Sequence, residues 1–144
     1  MKALVVRRPW PELIACGVKD VENRGRNTSY RGPLLIVAGK GWDPDAAPFA
    51  ARLGAAISSN PDDHPTGAVA VVDLTGVCSS ASNGSACDCS QWGWLCQHHW
   101  CLANSRRFAE PVPVRGMPGL WTPTADVIAA VSEQLGLHCV EVPR

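Results

Sequence analysis

The chain has 144 residues, 46% of them hydrophobic and 18% charged. That is one domain's worth of protein, at roughly 100–200 residues per domain, and too apolar for a disordered chain. Thirteen basic residues balance thirteen acidic ones, which excludes a polybasic histone-like binder but not a local basic groove.

In chain order, residues 3–6 form a short apolar run ending in valines and read as a strand. Residues 10–17 carry Trp10, Leu13 and Ile14 at i, i+3, i+4 spacing, with Pro9 and Pro11 in front and Gly17 behind, which predicts a short helix. Residues 20–31 are polar and turn-rich, and 32–38 are a continuous apolar strand. Residues 43–59 are Ala-rich, with Phe49, Leu53 and Ile57 on one helical face. A loop at 60–66 precedes a Val-rich strand at 67–77. A Cys-, Ser- and Trp-rich loop follows at about 78–98. Strands are expected at 99–104 and 111–115, with another starting at 119–121. A helix is expected at 124–135 and a closing strand at 137–142. The fold class is therefore α+β: a small, mostly antiparallel β-barrel or sheet with helices outside it.

The apolar runs are far shorter than the roughly 20 residues of a membrane span or the roughly 7–15 of a signal-peptide core. A cytoplasmic protein without a membrane partner is the expectation, in a compartment where thiols stay reduced. Charge is uneven. Residues 1–42 hold eight basic groups and three acidic ones, whereas residues 43–98 hold six acidic groups and one basic. The basic third is either an anion-attracting surface or an ordinary solvated face.

Three stretches concentrate chemistry: Arg7 with Pro9 and Trp10, then Gly17, Lys19, Glu22 and Arg24, then 30–34 (Tyr-Arg-Gly-Pro-Leu) with Arg31. In a loop, Lys19 and Arg24 can meet phosphate or carbonyl oxygens, and Glu22 can accept from amino groups. The same spacing also suits an ion-pair cluster in which Glu22 bridges the two cations.

These motifs resemble the ASCH domain, a member of the PUA-like superfamily. The Arg-x-Pro-Trp, Gly-x-Lys-x-x-Glu-x-Arg and Tyr-Arg-Gly-Pro-Leu motifs stand in the family's order, and His99-Trp100, 111–116 and 119–121 resemble its closing strands. The resemblance covers most of the chain and implies a single domain over 1–144. It also implies a cleft beside the barrel that holds single-stranded RNA or DNA, or a modified nucleotide. The site residues it implies are Arg7, Trp10, Lys19, Glu22, Arg24 and Arg31, with Arg115 and Trp121 across the cleft. Trp10 or Trp121 would stack on a base. Where many members carry His and Ser, this chain has Val37-Ala38-Gly39-Lys40.

Some relatives are amidohydrolases of acylated cytidine that use a lysine, a threonine and a glutamate. Lys19 matches that lysine, but Glu22 stands at the threonine position, so the nucleophile is absent. A small hydrolase acting on a modified nucleoside or RNA would then rely on Lys19 and Asp73 as acid and base. A third reading is a protein-interaction module that uses the Trp-rich segment 91–100.

Five of the seven cysteines fall within 78–101. Thiolate and imidazole are zinc's preferred ligands, and Cys87, Cys89, Cys96 and His98 are the candidate set. The alternatives are no cofactor, with buried thiols acting as small hydrophobes, or a redox-sensitive loop.

Overall fold

The computed structural model describes residues 1–140. Its elements are β1 (Lys2–Arg8), α1 (Trp10–Ala15), β2 (Val21–Arg24), β3 (Gly32–Trp42), α2 (Ala46–Arg52), β4 (Gly67–Cys78), β5 (His98–Val112) and α3 (Ala125–Val140). The strands make one sheet in the order β1-β3-β4-β5-β2. Only β1 with β3 is parallel; β3–β4, β4–β5 and β5–β2 are antiparallel. Register shifts recur along β4–β5, and such bulges bend and twist a sheet, which curls here into an open half-barrel.

Alternation along the strands divides the core in two. On one face Leu4, Val6, Leu34, Ile36, Val72, Leu74 and Leu102 pack with Trp10, Leu13 and Ile14 of α1. On the other, Ala3, Leu35, Val37, Val71, Phe108 and Val112 pack against Val131 of α3. Burial on both faces explains why β1 and β3 read as unbroken apolar runs. α1 stops where Gly17 takes φ 78°, a left-handed conformation that glycine tolerates.

Several expectations are corrected. The turn-rich segment 20–31 contains β2, because Val21 is buried and its neighbours pair with 98–101. The helix expected at 43–59 is only Ala46–Arg52, closed by Leu53 and by Gly54 at φ 82°. The strand pieces at 99–104 and 111–115 belong largely to one strand, β5, which ends at Val112. Asn104 at φ 52° and the bulges around it mimic a break. At 119–121 there is one bridge, Trp121 to Ala3, rather than a strand. Residues 137–140 continue α3 instead of forming a closing strand, and 141–142 lie outside the described residues. Among the described residues, no helix is long and apolar enough to cross a membrane.

Candidate functional site

Five of the expected site residues converge. Arg7 ends β1, Trp10 opens α1, Lys19 follows α1, and Glu22 and Arg24 share one face of β2. With Val6, Asn23, Asp43 and Trp94 they line a pocket of about 180 Å³. Lys19 and Glu22 are both buried. Lys19 Nζ donates to the Val21 carbonyl and, at 3.3 Å, to Glu22 Oε1, and it lies 5.5 Å from the Trp10 ring centroid. The Asn23 amide also donates to Oε1, at 3.1 Å. The other oxygen, Oε2, has Arg24 Nη1 at 3.9 Å, beyond hydrogen-bonding length. Among the described residues it accepts no hydrogen bond.

The bridge from Lys19 through Glu22 to Arg24 is thus present, and it forms a wall of the pocket. Arg24 is partly exposed, with its guanidinium 5.9 Å from the Trp100 ring. Its side chain makes no hydrogen bond among the described residues. Arg7 donates to the Trp42 carbonyl at 2.6 Å. Trp10 is fixed by donation from Nε1 to Asp43 Oδ2 at 2.9 Å. The Trp94 ring stands edge-on to Trp10, 5.8 Å away, and is 39% exposed. The arrangement offers two aromatic walls, a carboxylate oxygen with a free lone pair, and cations at the rim.

The remaining expected residues lie elsewhere. Arg31 is exposed and donates locally to the Thr28 and Tyr30 carbonyls. Arg115 lines a separate hollow with Lys40 and Val5. Trp121 packs with the α3-side core. Neither is across the cleft, because Ala3 and Val5 point away from the face that Leu4 and Val6 share with α1. Asp73 accepts from Asn104 at 2.9 Å and Arg106 at 2.7 Å and is absent from the pocket wall. The Lys19–Asp73 acid–base pair is therefore not assembled.

Trp94 escaped the sequence reading. It belongs to the segment 91–100, which the chain folds back onto β2. Asn23 Nδ2 donates to the Trp92 carbonyl at 2.9 Å, and Asn23 Oδ1 accepts from the Trp94 amide at 2.8 Å. Trp92 is buried in the core. No local pattern in the sequence distinguishes Trp94 from Trp92; the fold buries one and sets the other at the pocket.

The family model for the ASCH domain matches residues 4–112. The chain belongs to the ASCH domain family. The matched stretch runs from within β1 to the end of β5, so it contains all of the sheet but Lys2 and Ala3, and every residue of the pocket; α3 lies beyond it. No curated protein matches this ASCH domain at a significant level.

The cysteine-rich loop of this ASCH domain gathers Cys78, Cys87, Cys89 and His99, whose ligand atoms all lie within 4.8 Å of one another. This grouping keeps Cys87 and Cys89 from the expected set and replaces Cys96 and His98. Cys96 sits against Gly84, and His98 Nδ1 bonds the Ser79 hydroxyl at 2.8 Å. Hydrogen bonds from the Ser80 backbone and side chain, then from Cys87, lower the Cys78 thiol to about 7. Burial, then the neighbouring Cys87 and Cys78, push Cys89 up to about 12. Cys89 is exposed as a residue, but its sulfur lies against the buried His99 ring. Burial also raises Cys101.

Proposed function

We propose that this ASCH domain binds single-stranded RNA or a modified nucleotide, with one base in the pocket bounded by Trp10 and Trp94. The observation that carries the reading is the half-used carboxylate. Lys19 and the Asn23 amide hold Glu22 Oε1, and Oε2 keeps its acceptor capacity beside two aromatic rings. An exocyclic amine or ring N–H of a base matches that acceptor. Aromatic rings give bases a stacking surface whatever their sequence. Arg24 and Arg7, at the rim, suit the phosphates on either side. A pocket of about 180 Å³ is smaller than the roughly 300–1,000 Å³ typical of sites for drug-sized ligands, which favours one base over a folded oligonucleotide.

The test is fluorescence anisotropy with short labelled single-stranded RNA and DNA at two salt concentrations. Binding is expected to weaken with salt, because phosphate contacts release counterions. Arg24→Ala should lower the salt slope by about one. Absence of binding by the wild type at low salt would overturn the oligonucleotide reading.

A further inference from the structure

The loop between β4 and β5 is long for a compact domain. Residues 79–97 contain no helix or strand, whereas structureless loops beyond about 12–15 residues are uncommon unless they serve a function. Only Ala81 and Trp92 of this loop are buried apolar residues. The stretch from Ser82 to Cys89 has no apolar anchor of its own. What it does have is Cys87 and Cys89, folded back on the base of the hairpin. There Cys78 and His99 stand directly opposite each other in the β4–β5 register.

The four ligand atoms, all within 4.8 Å of one another, are close enough together to share one ion. Zinc holds sulfur at about 2.3 Å and imidazole nitrogen at about 2.0 Å, which sets neighbouring ligand atoms roughly 3.3–3.8 Å apart. Cys78 Sγ and Cys87 Sγ are 3.4 Å apart, and Cys89 Sγ and His99 Nδ1 are 3.0 Å apart, so each pair would open by a few tenths of an ångström around the ion. The imidazole is oriented for the task. Its Nε2 lies 2.7 Å from the Trp94 carbonyl. A carbonyl only accepts, so Nε2 carries the proton and Nδ1 turns its lone pair to the thiols. A ligating histidine is characteristically held in this way through its second nitrogen. Gly93 packs against the same ring. A Cβ there would come within 2.5 Å of His99 Cε1, so only glycine lets the loop backbone lie this close to the ring.

We propose that Cys78, Cys87, Cys89 and His99 form a structural zinc site that clips the β4–β5 loop to the sheet. Four protein ligands close the coordination sphere, which is the structural rather than the catalytic pattern. The site is tested without nucleic acid.

The experiment measures zinc in the full chain, purified under reducing conditions without chelator, by elemental analysis and native mass spectrometry. Cobalt(II) then replaces zinc as a spectroscopic probe. About one zinc per chain is expected, and cobalt should give thiolate charge-transfer and tetrahedral d–d bands. Cys87→Ala and Cys89→Ala lie in the irregular loop and should abolish both signals while leaving the far-ultraviolet circular dichroism of the sheet in place. Cys96→Ala and His98→Ala should retain both. Three results would each overturn the assignment: reduced wild-type protein that takes up neither metal, a Cys78–Cys87 disulfide in place of bound metal, or metal lost in the Cys96 and His98 variants but kept in those of Cys87 and Cys89.

Discussion

Two carboxylates in this chain meet arginine or lysine in different surroundings. Asp73, on β4, is partly exposed and saturated: Arg106 lies at 2.7 Å and Asn104 at 2.9 Å. Glu22, on β2, is buried, yet its cations are more distant, with Lys19 at 3.3 Å and Arg24 at 3.9 Å. A buried charge without close partners is costly. The short pair therefore lies where solvent already screens it, and the loose one where each missing hydrogen bond counts. Asp73 is a structural pair, complete as it stands. Glu22 keeps one oxygen, Oε2, without a hydrogen-bond donor among the described residues.

The comparison can be broken most strongly at Lys19. Lys19→Ala strands Glu22 in a buried position and should cost about 3–5 kcal/mol, read as a lower urea midpoint at unchanged slope. Glu22→Gln keeps the shape and removes the charge. Its expected cost is about 1.5–3 kcal/mol, the range for hydrogen bonds to charged groups, again read from urea unfolding. Trp94→Ala sharpens the distinction between support and recognition. The ring packs edge-on against Trp10 and Phe49, so urea unfolding reads the support it gives, while base affinity should fall by about 1–3 kcal/mol, measured by anisotropy with labelled RNA. At the small end, a double-mutant cycle on Asp73 and Arg106 should return a coupling of at most about 1 kcal/mol, as partly exposed pairs do. A larger value would erase the contrast between the two carboxylates.

Much of this contrast was legible before the fold. The Gly-x-Lys-x-x-Glu-x-Arg spacing placed Lys19, Glu22 and Arg24 together, because a short helix, a turn and a four-residue strand leave them little room to separate. Trp10 followed from its place at the start of the helix. Residues brought by distant segments were not legible. Trp94 reaches the pocket through contacts made across the fold: Asn23 holds the Trp92 carbonyl and the Trp94 amide, and His99 holds the Trp94 carbonyl. His99, rather than His98, faces the cysteines because alternation along β5 sends neighbouring side chains to opposite faces. Arg115 and Trp121 failed for the same reason on β1, where a single step in the sequence changes the face. Asp73 lies on the strand expected at 67–77, but its partners, Asn104 and Arg106, belong to β5 and hold it away from Lys19.

β2 pairs with β5 so that Glu22 stands opposite Trp100 and Arg24 opposite His98. Because side chains alternate with period two, this edge strand tolerates a change of residue better than a change of length. Losing or gaining one residue between Gly17 and Val21 would slide the strand by one position. Glu22 and Arg24 would then leave the pocket together, and Val21 and Asn23 would take their side of the sheet. The spacing of the motif is in this sense a ruler: it measures the chain from the end of α1 to the one register in which the carboxylate faces the pocket.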